Sequence, residues 1–195
     1  MGSNAGKIRY KSLDTSLEIS GEEFTYPLNA YLGKNLSQGD DIKVILVVKK
    51  DPYNRYEQSI VDFEDEIDGV NKTIGAKIEV KKLITDFTED FKMHHGLLDA
   101  IIDEIEENAC VMADVTYGNK ETPFLAFAAL NFAERFLSCD VDRILCSRAG
   151  IFDGEEDATA VWDMAPIYYV NSVSNKINCD NPQKARTVLK KILSI

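Results

Sequence analysis

Residues 110–137, CVMADVTYGNKETPFLAFAALNFAERFL, contain a short apolar run, a polar turn and a second apolar stretch with helical periodicity. Cys110 to Val115 predicts a strand because it is apolar and β-branched at its end, and Phe124 to Leu137 predicts a helix. Thr122-Pro123 predicts the start of that helix, with threonine as the N-cap and proline at the first helical position. Strand, loop and helix in this order form the repeating unit of an α/β fold.

Strands and helices also alternate before and after this stretch. The other predicted strands are Lys7 to Leu13, Ile42 to Val48, Lys77 to Ile84, Arg143 to Cys146 and Ile167 to Val170. The predicted helices are an amphipathic stretch ending near Leu36, Tyr53 to Val70, Phe87 to Glu107 and Pro182 to Ile195. This alternation predicts an α/β fold with a doubly wound, mostly parallel, Rossmann-like sheet.

A single domain is the expected organisation. The chain of 195 residues suffices for one well-buried core, and no internal repeat or linker interrupts the pattern. Met1 to Gly6 looks like a cloning remnant, so the domain is expected to comprise residues 7–195. The polar insertion from Gly154 to Ala160 is expected to form an exposed loop.

Composition restricts the environment and the partners of the chain. With 33 acidic and 22 basic residues the net charge is −11, which disfavours a long nucleic acid and requires any nucleotide ligand to be small. The apolar runs are too short to cross a bilayer and no charged-then-apolar leader opens the chain, so no membrane association is expected. The four cysteines form no Cys-x-x-Cys pair, which is typical of reduced thiols in a cytoplasmic protein without a zinc site. We expect neither a metal nor a cofactor.

The polar turn Thr116 to Lys120 is the candidate ligand site. In open α/β sheets ligands bind at the carboxyl ends of strands, where loops and helix N-termini converge. Gly118 permits a close backbone approach, Thr116 and Asn119 offer hydrogen-bonding groups, and Lys120 adds a positive charge beside the next helix. The same residues are equally compatible with a tight strand-to-helix connection that binds nothing. Neither the Walker A motif nor Gly-x-Gly-x-x-Gly occurs in the chain, which weakens ATPase and NAD-enzyme interpretations.

Asp114-Val115-Thr116-Tyr117-Gly118 resembles the Asp-x-Thr-His-Gly signature of CRISPR-associated Rossmann-fold (CARF) proteins. As in that family, a helix rich in Leu, Phe and Ala follows. The similarity extends from Lys7 to about Val170, and Ser147 to Gly150 falls where the family has a glycine-containing turn. The chain departs from the signature at Tyr117, where the family has histidine.

The resemblance implies a homodimer whose two pockets form one cleft for a cyclic oligoadenylate, most simply cyclic tetra-adenylate, the messenger of type III CRISPR defence. A two-fold interface can present the same residues to opposite phosphates of a two-fold ring. The implied ligand-binding residues lie in the first loop, in the Asp114 block and in the later turn; they are Ser12, Asp14, Thr15, Ser16, Thr116, Tyr117, Gly118, Asn119, Lys120 and Arg148. The first loop is equally compatible with an ordinary solvent-exposed turn. Asp114 itself is expected to anchor the amides of its loop.

Whether such a protein senses the messenger or cleaves it is open. Some members of the family are ring nucleases, in which the ribose 2′-hydroxyl attacks the adjacent phosphorus without a metal. Lys120 is the candidate for stabilising charge and Ser12 for orienting the ribose and phosphate, but no general base stands out. The alternatives are a regulatory subunit that binds the messenger intact and an unrelated nucleotide-binding α/β enzyme.

Overall fold

The structure, a computed structural model, describes residues 6–86, 90–150, 158–177 and 181–193. Its strands are β1 (Ile8–Ser12), β2 (Glu23–Phe24), β3 (Asp41–Lys49), β4 (Lys77–Thr85), β5 (Cys110–Asp114), β6 (Asp140–Ala149) and β7 (Ala158–Asp163). Its helices are α1 (Pro27–Asn35), α2 (Arg55–Asn71), α3 (Phe91–Glu104), α4 (Thr122–Phe136), α5 (Ala165–Lys176) and α6 (Pro182–Ile192). The predicted α/β class is confirmed.

The strands form one five-stranded sheet and one separate pair. The sheet has the order β2-β1-β7-β6-β5, and β3 pairs with β4 in parallel. Within the sheet β1–β7 and β5–β6 are parallel, whereas β1–β2 and β6–β7 are antiparallel. A parallel crossover needs about a dozen residues. Because only residues 150–157 separate β6 from β7, the two neighbours pair antiparallel and the described sheet is mixed.

Two elements of the C-terminal third differ from the prediction. Residues 158–160, expected in an exposed loop, belong to β7, whose Ala160 and Val161 are fully buried. Ile167 to Val170, expected as a strand, lies in α5, because Pro166 suits the first turn of a helix that buries Ala165, Tyr168 and Ser172 on one face. The predictions for residues 1–5, 87–89, 154–157 and 194–195 fall outside the described residues.

Three apolar clusters join these elements into layers. One face of β3 packs Val44, Leu46 and Val48 against α2. Helix α1 covers one face of the five-stranded sheet through Tyr10 and Leu145, and helices α4 and α5 cover the other through Ile144. Helix α1 and strand β3 therefore both approach the end of β5, where the polar turn begins. None of the described helices has the length and apolar character needed to traverse a bilayer.

Candidate anion-binding site

Asp114 fixes the start of the turn that follows β5. One carboxylate oxygen accepts a hydrogen bond from the Thr116 amide at 2.9 Å, and the other accepts one from the Leu28 amide of α1 at 3.2 Å. Burial raises the pKa of this carboxyl above its ordinary value, although both amides favour the ionised form. Asp114 thus ties the turn to helix α1, which is the anchoring role expected for it.

The Tyr117 side chain points into the protein interior. Its hydroxyl donates to the Thr25 carbonyl at 3.1 Å, and its ring lies edge-on to Tyr26 with centroids 5.9 Å apart. The Tyr10 hydroxyl donates to the same carbonyl at 2.9 Å, and the two tyrosine hydroxyls lie 3.4 Å apart. Each hydroxyl has a single proton, which the Thr25 carbonyl can accept. Tyr117 is therefore a packing residue that holds the turn against β1 and the segment before α1.

Gly118 is required by both its backbone angle and its neighbours. Its φ of +118° lies in the region that side-chain-bearing residues rarely adopt. A Cβ at this position would come within 3.0 Å of Thr122 Oγ1 and 3.2 Å of Thr122 Cβ. The turn consequently passes directly over the first residue of α4.

Helix α4 begins one residue earlier than predicted. Thr122 lies within the helix and Glu121 occupies the N-cap, where its side chain accepts no capping hydrogen bond from the helix. The Glu121 carboxylate instead forms a close ion pair with the ammonium of Lys49, the last residue of β3. Burial favours the neutral acid, but the Lys49 ammonium, the backbone amide of Glu121 itself and the Asn119 side chain outweigh it and lower the pKa of Glu121 to about 2. The carboxylate at the mouth of the turn is therefore ionised and neutralised by Lys49.

Two exposed cations lie at the same edge of the sheet. The Ser147 amide donates to Thr116 Oγ1 at 3.0 Å, which joins the turn to the carboxyl end of β6, where Arg148 follows. Lys120 and Arg148 are both exposed, and within the part of the chain that the structure describes neither side chain has a hydrogen bond or ion pair. Thr116, Gly118, Asn119, Lys120 and Arg148 are thus brought to one edge.

The first loop lies toward the opposite edge. Ser12 of β1 pairs with Val161 of β7, which pairs with Ser147 of β6. Because β7 and β6 are antiparallel, the chain after β1 leaves this row in the direction opposite to the chain after β5. Arg143, near the start of β6, accordingly reaches Ser16 Oγ at 3.5 Å. The structure does not bring the first loop and the turn after β5 together in one copy of the chain.

Hydrogen bonds within the first loop engage Ser12 and Asp14. Ser12 Oγ accepts from the Asp14 amide at 3.0 Å and donates to the Asp14 carbonyl, and Asp14 accepts from the Ser16 amide at 2.8 Å. That backbone contact lowers the pKa of Asp14. Thr15 is exposed at the tip. Ser12 and Asp14 thus form a tight turn, and the loop that it begins runs away from the turn that carries Lys120, the predicted catalytic partner of Ser12.

Sequence reasoning missed Lys49 and Glu121. A signal for Lys49 was present, since it directly follows the buried run Ile42 to Val48 and so stands at the carboxyl end of a strand. Glu121 lies in the predicted connection between β5 and α4, where its sequence position gives no sign of a role. Within the described residues no cluster of three or more His, Cys, Asp or Glu side chains could hold a metal ion.

Comparison with known proteins leaves the chain without an assigned family. No protein-family model matches the sequence, and a search of curated proteins finds no significant match.

Proposed function

We propose that the chain binds a cyclic oligoadenylate, with cyclic tetra-adenylate as the first candidate, as a stand-alone CARF-type, Rossmann-like sensing domain of type III CRISPR defence. The observation that carries the proposal is a pair of exposed cations, Lys120 and Arg148, beside a glycine turn at a helix start; among the described residues neither has a hydrogen bond or ion pair. The resemblance of Asp114 to Gly118 to the family signature supplies the identity of the ligand.

The residues at this edge suit a phosphodiester group. The Lys120 ammonium is a point charge that can pair with a phosphate oxygen. The Arg148 guanidinium can donate two parallel hydrogen bonds to the two non-bridging oxygens of a phosphodiester. Gly118 carries no side chain, so the ligand backbone can approach the turn closely. A ring of several phosphates suits such a local positive patch on a chain whose net charge is −11, because only a small anion avoids the rest of the surface.

The proposal is binding, with cleavage left as a separate outcome. Ser12 is engaged in hydrogen bonds within its own turn, and that turn leaves the sheet in the direction opposite to the turn that carries Lys120. A homodimer with a two-fold cleft remains part of the proposal, because a ring with two-fold symmetry would use Lys120 and Arg148 from each copy.

A ring panel analysed by mass spectrometry tests the proposal and separates the alternatives. Tri-, tetra- and hexa-adenylate rings are incubated with stoichiometric protein without added metal, and bound and free species are identified. Intact ring retained by the protein supports a sensor, and linear products indicate a ring nuclease. A mononucleotide bound in preference to all three rings would support the unrelated nucleotide-binding enzyme, and no retention of any ring would end the proposal.

A further inference from the structure

The ion pair of Lys49 and Glu121 links the end of β3 to the start of α4. This position lies beside the turn that is proposed to bind the ligand. Only 12% of the Lys49 side chain and 21% of the Glu121 side chain are exposed. Asn119, one of the proposed ligand contacts, also hydrogen-bonds to Glu121. The pair therefore belongs to the same cluster of side chains as the polar turn.

The orientation of Glu121 is unusual for an acidic residue at the start of a helix. An N-cap carboxylate ordinarily accepts hydrogen bonds from amides of the first helical turn. Glu121 makes no such bond and turns instead toward Lys49. The carboxylate thus acts as an internal anion on Lys49 and leaves the helix amides uncapped by its side chain.

We propose that Lys49 is a second phosphate-binding cation of the site and that Glu121 competes with the ligand phosphate for it. This inference rests on the proposed function, because it concerns the same anionic ligand. Without ligand, Glu121 neutralises Lys49; with ligand, a phosphate oxygen replaces the carboxylate on the ammonium. Glu121 thereby weakens the binding of all anions and selects those that offer more than one phosphate.

Two substitutions separate this competition from a purely structural ion pair. Glu121→Gln keeps the shape of the side chain and removes the negative charge that faces Lys49. Removal of one unit charge within a few ångströms of a bound phosphate is expected to tighten binding about tenfold or more. Lys49→Met in the Glu121→Gln background removes the positive charge of Lys49 without leaving an unpaired buried carboxylate.

The experiment is calorimetric titration of wild type, Glu121→Gln and the double variant with cyclic tetra-adenylate and, in parallel, with inorganic pyrophosphate. We expect Glu121→Gln to bind both probes about tenfold more tightly than wild type, and the double variant to lose this gain. Equal affinities for the two variants, or no gain in Glu121→Gln, would overturn the role of Lys49. Thermal unfolding of each protein establishes that all three are folded.

The two probes distinguish failure of the inference from failure of the proposed function. If the ring binds wild type and Lys120→Ala weakens it while Glu121→Gln changes nothing, the function stands and the inference fails. If pyrophosphate follows the expected order while no ring binds, Lys49 and Glu121 act on an anion as inferred and the cyclic ligand is wrong.

Discussion

At the scale of single residues, the turn after β5 is shaped by a few groups whose roles are structural. The Asp114 carboxylate bonds to an amide at the start of the turn, and the Tyr117 hydroxyl bonds to a carbonyl in the protein interior. Gly118 allows the turn to pass over Thr122. None of the three exposes a charge to a ligand. Lys120 and Arg148 are exposed beside this turn, and neither has a hydrogen bond or ion pair within the described ranges.

Gly118→Ala tests this frame. The added methyl group would meet Thr122 at a backbone angle that alanine rarely adopts, so we expect the free energy of unfolding to fall by about 1–3 kcal/mol. Urea unfolding measures the change. Gly69→Ala in α2 is the matched control, because nothing lies within 4 Å of its Cβ position and alanine there is expected to stabilise by about 0.5–1 kcal/mol. Equal stability of wild type and Gly118→Ala would contradict the described turn.

Glu121 predicts a pH dependence of stability. Its pKa is lowered to about 2 in the folded protein, below an unfolded value of about 4.3, so the folded state favours the ionised form. Its stabilising contribution is therefore present above about pH 5 and is lost as the pH falls toward about 2. Unfolding measured across this range should show a smaller decline for Glu121→Gln than for wild type. Parallel curves would show that Glu121 is not held by Lys49.

Tyr117→Phe separates packing from ligand contact. The variant keeps the ring and loses the hydroxyl that bonds to Thr25, so the free energy of unfolding should fall by about 1 kcal/mol. Affinity for cyclic tetra-adenylate should change by less than about threefold, because the hydroxyl faces the interior. Urea unfolding and calorimetry on the same sample give both values. A large loss of affinity without loss of stability would show that the Tyr117 hydroxyl contacts the ligand.

At the scale of secondary structure elements, the periodicity of apolar residues predicts most of the described helices and strands. The predicted helix from Tyr53 to Val70 corresponds to α2, and the aliphatic run Ile42 to Val48 corresponds to β3. These elements carry a local signal, a stripe of apolar residues at a fixed period. Strand β7 carries none, since its small residues Ala158 and Ala160 are buried only through pairing with β6 and β1.

The arrangement of the strands was beyond local reasoning. The resemblance implies that the loops after β1 and β5 contact one ligand, which within one subunit requires both strands to run in the same direction. The antiparallel contact between β6 and β7 reverses their relation, and it depends on pairing between residues distant in sequence from both loops. For the same reason the contact between Lys49 and Glu121, which are far apart in sequence, could not be derived from either segment alone.

At the scale of the whole molecule, charge is distributed unevenly. The chain carries a net charge of −11, yet the turn after β5 and the end of β6 present the exposed cations Lys120 and Arg148, for which the described part of the chain offers no ion pair, beside a carboxylate neutralised by Lys49. A surface of this kind repels extended polyanions and accepts a compact one. The proposed ligand, a small ring of phosphodiesters, fits that distribution.

The proposed two-fold cleft predicts a homodimer. Sedimentation equilibrium should give a mass about twice that of the single chain, with or without ligand, because a two-fold ring requires two copies of the site. A monomer at all concentrations that remains monomeric with cyclic tetra-adenylate would remove the two-fold cleft from the proposal.

The most direct measurement is the affinity of wild type, Lys120→Ala and Lys72→Ala for cyclic tetra-adenylate by isothermal titration calorimetry at fixed salt. Lys72 is an exposed lysine at the C-terminal end of α2 and serves as the matched charge control. We expect binding to wild type, a loss of about tenfold or more in Lys120→Ala, and an unchanged affinity in Lys72→Ala. Equal losses in the two variants, or no binding to wild type, would contradict it.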